Sequence, residues 1–123
     1  MSKMHAFHSR EKSETPRKFT LSTPEGESTE EFLLVLGYYS SKFVKARAEF
    51  RERVVENASS ATPEKGFSEA HKAELVADAV EGWSFDEPFS KTALVAFLKE
   101  CPHIVDDLDV FLYDRKSFFG GKA

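Results

Sequence analysis

Two apolar stripes separated by a single proline constrain this chain most. Leu94, Phe97, Leu98 and Cys101 follow the i, i+3, i+4, i+7 spacing that puts side chains on one face of a helix. Ser90 stands where that helix needs an N-cap. Pro102 ends it, because proline has no amide proton for an interior turn, yet it suits the first turn of a following helix. Val105, Leu108, Phe111 and Leu112 form the second stripe. Asp106, Asp107 and Asp109 lie early in that helix, where its dipole favours negative charge. With Asp114 they are expected to pair with Arg115 and Lys116 or to face water.

The rest of the chain supplies two more helices and a hairpin. Ser40 or Ser41 caps a helix whose buried stripe is Phe43, Ala46, Phe50 and Val54. Residues 57–66 are small, polar and broken by Pro63 and Gly66, which marks a loop. A helix then starts near Ser68, with Leu75, Ala79 and Trp83 spaced by four and Gly82 near its end. Upstream, Phe19 and Leu21 alternate with Thr20 and Ser22 at strand period. Pro24-Glu25-Gly26-Glu27 reads as a turn in which Gly26 is free to take positive φ. The run Phe32-Leu33-Leu34-Val35-Leu36 suits strand or helix, since Ser28 and Glu31 also fit a capping box. Its bracketing by the turn and Gly37 favours a strand with Phe32, Leu34 and Leu36 on one side. The expected fold is mainly α (α+β), an N-terminal β-hairpin followed by about four helices.

A chain of 123 residues has room for one core. Residues 1–18 read as a flexible basic extension, 19–119 as the domain and 120–123 as a flexible C-terminus. The extension carries Lys3, Arg10, Lys12, Arg17 and Lys18 against Glu11 and Glu14. A 41% hydrophobic share excludes wholesale disorder. The net charge of −4 argues against a phosphate-coating nucleic-acid binder. One cysteine excludes an internal disulfide framework and a four-cysteine zinc site. With no long apolar run and no secretion-like start, the chain is expected to be soluble and cytosolic, away from membranes.

No residue pattern demands catalysis, a metal or a cofactor. His71, Glu74 and Asp78 share a helix face, but a solvated polar face explains them better. His5 and His8 offer at most adventitious metal binding, and His103 reads as a helix-start residue. Cys101 lies on an apolar stripe, which suits a small core residue rather than a nucleophile. The basic face of Lys42, Lys45, Arg47, Arg51 and Arg53 is interrupted by Glu49, Glu52 and Glu56, the mark of a salt-laced surface helix. The aromatic surplus says more, since 12 residues are Phe. Tyr38-Tyr39 sits at a hinge, and Phe118-Phe119 lies beyond the last helical stripe. Exposed aromatics anchor protein partners, so Tyr38, Tyr39, Phe111, Phe118 and Phe119 are the candidate partner-binding residues. The competing reading is that both pairs cover the small core.

The order of features resembles the tail assembly chaperones of long, flexible-tailed bacteriophages. The resemblance runs over residues 19–119 and is carried by the Gly26-Glu27 turn, Gly37, Ser40-Ser41-Lys42-Phe43, Ala73-Glu74-Leu75-Val76, and Trp83 closing a helix. Phe85, Pro88-Phe89-Ser90 and Cys101-Pro102 complete it. Trp83, Pro88, Ser90 and Pro102 match recurrent family positions and read as a core indole, a turn proline, a helix cap and a helix break. The resemblance implies a non-enzymatic protein of the host cytoplasm, absent from the mature virion. It implies binding to the tape measure protein and recruitment of tail tube subunits, with possible self-association and no nucleic acid or membrane. It also implies a longer product made by ribosomal slippage, since GGG-AAA-G followed by C would encode Gly121-Lys122-Ala123. The rival readings are a tail completion or connector protein kept in the virion, and a small helical nucleic-acid-binding regulator acting through residues 42–53.

Overall fold

The computed structural model describes residues 3–120. A short antiparallel sheet is built first. Strand β1 (Arg17–Ser22) turns at residues 23–27 into β2 (Ser28–Val35). Gly26 takes φ 93°, as the turn requires, and its amide donates to the Thr23 carbonyl at 2.8 Å. The Thr23 hydroxyl accepts from the Glu27 amide at 3.1 Å, so the turn closes on itself.

Register decides which side of the sheet is inside. Arg17 pairs with Val35 and Phe19 with Leu33. Phe19, Leu21, Leu33 and Val35 are buried. This corrects the expected face: Phe32 and Leu34 point the other way and are only half-buried, while Leu36, just past the strand, is buried. Lys18 lays its ammonium 4.6 Å from the Phe32 ring centroid and covers that outer face. A run of five apolar residues does not reveal its own parity, and one residue of slip exchanges the two faces.

The sheet has a third strand that local pattern did not announce. The helix expected to run to Trp83 instead breaks into α3 (Phe67–Ala70) and α4 (Lys72–Ala77), and Val80–Trp83 forms β3 beside β2. Val80 pairs with Val35, Gly82 with Leu34 and Trp83 with Leu33, with an irregularity near Glu81. The Leu36 amide donates to the Ala79 carbonyl at 2.7 Å and fixes the entry to the strand. Gly82 disfavours helix, and two residues of β-branched or aromatic type flank it within the strand.

The segment ahead of β1 meets the rest of the protein at Ser13 and Glu14. A 3₁₀ turn (Lys3–Phe7) leads into α1 (Ser9–Ser13), exposed except at its end. Ser13 is fully buried; its carbonyl accepts from the Gly37 amide at 2.8 Å. Gly37 is required there, because a Cβ would sit 2.6 Å from the Ser13 hydroxyl oxygen and 2.9 Å from the Phe118 ring. Glu14 accepts from the Ser41 amide at 3.0 Å and from the Ser41 hydroxyl. These hydrogen bonds hold its carboxyl below the usual range. Glu14 and Ser40, which accepts from the Phe43 amide at 3.3 Å, together cap α2 (Ser41–Ala58).

The remaining helices follow their sequence signals. Ser90 caps α5 (Lys91–Lys99) by accepting from the Ala93 amide at 3.1 Å. Pro102 opens α6 (Pro102–Tyr113). Leu94, Leu98, Leu108 and Leu112 are buried with Phe43 and Val76 between the helices and the inner sheet face. Lys72 pairs with Asp106 at 3.6 Å and Asp109 at 3.3 Å, so those acids do not turn to Arg115 and Lys116. Burial lowers the Lys72 pKa, but Asp109, Glu69 and Asp106 together outweigh it and the net direction is upward. The chain then forms α7 (Arg115–Phe119). Asp114 caps it by accepting from the Lys116 amide at 3.1 Å. Of the expected flexible end at 120–123, Gly120 closes α7, and residues 121–123, with their Gly121-Lys122-Ala123 codon reading, lie outside the described residues. The whole is mixed α+β and mainly helical, at 54% helix.

Candidate functional site

Helices α2 and α5 do not close on each other. Between them lies an open groove of about 870 Å³ with α4 at its base. Helical spacing assigns its parts. On α2, Ala46, Phe50 and Arg53 stand at i, i+4, i+7 and line the interior, while Glu49, Glu52 and Glu56 stand at i, i+3, i+7 along the edge. On α5, Leu94 and Leu98 are spent on the core, and Thr92, Val95, Ala96 and Lys99 face the groove. Leu75 of α4 adds apolar floor.

The groove's polar groups divide into paired and unpaired. Arg53 reaches Glu74 at 3.6 Å, and Lys91 reaches Asp78 at 2.6 Å. Burial pushes the Glu74 carboxyl up, but hydrogen bonding and charge from His71, with Arg53 and Lys99 nearby, hold it below its ordinary value. His71 also reaches Glu64 at 3.4 Å. The polar face of His71, Glu74 and Asp78 is therefore spent on ion pairs and hydrogen bonds. Among the described residues, Glu49, Glu52 and Glu56 have no ion pair.

The aromatic candidates divide differently. Tyr38, Tyr39 and Phe119 line a smaller pocket of about 240 Å³ with Leu112, Tyr113 and Arg115. Tyr38 meets Tyr39 at 5.1 Å and Tyr113 at 5.0 Å, both edge to face. The Arg47 guanidinium lies 3.7 Å from the Tyr38 ring and donates to the Tyr38 carbonyl at 2.9 Å. Phe118 is 1% exposed. It packs on Phe111 at 5.4 Å, and Phe111 in turn packs on Phe19 at 5.2 Å, so both rings serve the interior. Sequence reasoning passed over Tyr113, which is 48% exposed. Its position three residues after the exposed Val110, off the apolar stripe of α6, was the available signal.

The four positions read as structural are placed clearly. Trp83 does not end a helix. It is half-buried in β3, donates to the Glu87 carbonyl at 2.8 Å and meets Phe85 at 5.4 Å and Phe89 at 5.3 Å. Pro88 lies exposed in the turn that this cluster holds, and Ser90 and Pro102 cap and open helices as read.

His103 Nε2 lies 2.9 Å from the Ser22 carbonyl oxygen and joins α6 to β1. Burial raises the Cys101 thiol, which disfavours the thiolate. His5, His8 and Glu11 place ligand atoms within 4.8 Å of one another, all exposed. No helix among the described residues is long and apolar enough to cross a membrane.

Fold and surface together define a small α+β protein with an open, apolar-floored groove between two helices. The family model for phage tail assembly chaperones matches residues 39–113, from the start of the α2 cap to the end of α6. That is well over half of the chain, and the chain belongs to the phage tail assembly chaperone family. Both walls of the groove lie inside the match; β1, β2 and α7 lie outside it. Neither a curated protein nor a solved structure matches the chain.

Proposed function

We propose that this tail assembly chaperone binds the phage tape measure protein, keeps it soluble and helps recruit tail tube subunits around it. The observation that supports this reading is the groove between α2 and α5. An α-helix with side chains is about 10 Å across and rises 5.4 Å per turn. The open groove of about 870 Å³ can seat the apolar face of such a helix while its polar face stays in water. An apolar helix stripe laid on Phe50, Leu75, Val95 and Ala96 is shielded from water and from its own kind. No bond is made or broken. The work is done in the host cytoplasm, and the protein leaves before the virion is finished. Tube subunits are recruited through a longer product made by slippage near Gly121-Lys122-Ala123.

The regulator reading finds little support in the same geometry. Among the basic residues of α2, Lys42 pairs with Glu81 at 3.6 Å, Arg47 stacks on Tyr38 and Arg53 pairs with Glu74. Co-expression with the tape measure protein tests the proposal. Soluble yield should rise and the two chains should co-purify, while purified virions should lack this chain by mass spectrometry. Unchanged yield with no co-purification contradicts it, and recovery from virions moves the reading to a retained completion or connector protein.

A further inference from the structure

The groove's charges say more about its occupant than its apolar floor does. Within it, Arg53 and Lys91 are already neutralised by Glu74 and Asp78. The α2 edge is left with Glu49, Glu52 and Glu56, all exposed. Lys45 and Arg53 stand four residues either side of Glu49, yet neither makes an ion pair with it among the described residues. Glu52 and Glu56 are i, i+4 neighbours of like charge, an arrangement that costs a helix stability until a cation answers it. The row runs from residue 49 to residue 56, about 10 Å or two turns along the helix axis. On the opposite edge, α5 presents Lys99, which has no ion pair among the described residues.

We infer that the groove selects an amphipathic helix carrying a row of Lys or Arg along the flank that faces α2, at i, i+3 or i+4, and i+7. The flank toward α5 carries an acid that answers Lys99. This rests on the groove being the docking site proposed above and names the chemistry of what docks. Apolar contact supplies the affinity, and the Glu row supplies orientation, on-rate and discrimination among apolar helices. A helix with an acidic flank meets three carboxylates and is refused.

Two labelled synthetic helices of about 18 residues, long enough to hold helix once seated, test this directly. They share one Leu stripe and differ only in a Lys row or a Glu row on the flank. Fluorescence anisotropy should give the Lys peptide a Kd about tenfold lower, from three exposed charge contacts, with the gap narrowing at high salt. The E49K/E52K/E56K chain should reverse the preference, E49Q/E52Q/E56Q should erase it, and Ala96→Trp should weaken both peptides. Equal affinities at low salt, still sensitive to Ala96→Trp, overturn the charge inference and leave the groove as the docking site. Binding of neither peptide, or binding indifferent to Ala96→Trp, overturns the docking site as well.

Discussion

Replacing Ala96 with Trp is expected to lower binding of the tape measure protein by at least tenfold while leaving the fold intact. Ala96 is exposed on α5 and lines the groove. An indole there occupies the space that an incoming helix needs, and the binding cost is that of refusing a buried stripe. The folding cost is small, because an exposed helical position away from caps changes stability by about 0.5 kcal/mol, in line with the Ala-to-Trp propensity difference. Co-purification and a thermal melt on the same preparation separate the two effects. Undiminished binding with an unchanged melt puts the occupant elsewhere. The next surface to test is then the aromatic pocket of Tyr38, Tyr39 and Phe119.

Phe118→Ala is expected to destabilise the protein by about 3–5 kcal/mol, the usual cost of emptying a buried phenylalanine site. The ring is fully enclosed, with Phe111 at 5.4 Å, Phe119 at 5.0 Å and the Arg17 guanidinium 5.3 Å from its centroid. It also shares the tight corner at Gly37 and Ser13, so the cavity adjoins the junction that ties the N-terminal residues to α2. Against a total stability of about 5–15 kcal/mol for a domain, that loss is large. Urea unfolding measures it as a lower midpoint at constant slope. A change under about 1 kcal/mol would mean that α7 is held loosely and that Phe118 is free to meet a partner, as the sequence alone suggests.

What the sequence reveals follows the range of the interaction. Ser40, Ser90, Pro102 and Gly26 act through neighbours within four residues, and each takes the role its local pattern implies. The strand at Val80–Trp83 does not, because Leu75, Ala79 and Trp83 keep a helical spacing and only the edge of β2, some fifty residues away, converts the segment. The inner face of β2 was illegible for a related reason. Five apolar residues in a row leave parity to be set by the partner strand and the helices beneath. Phe118 looked available because nothing local shows that a one-turn helix folds back onto Phe111. The Glu49, Glu52, Glu56 row was visible only as an interruption of a basic stretch. Its place on a groove edge needs α5, brought alongside by the core that Leu94 and Leu98 help to build. The family pattern remained readable through these shifts, since the matched region, 39–113, contains every capped or proline-opened helix around the groove.

Hydrogen exchange on the complex with the tape measure protein tests the central claim most directly, because it reports where a partner shields the backbone without altering any residue. Amides of α2 and α5 along residues 46–56 and 91–99 should slow markedly on binding, with α4 following and the pocket around Tyr38 and Phe119 unchanged. Protection confined to that pocket, or a bound complex with no slowing in α2 and α5, would contradict the account.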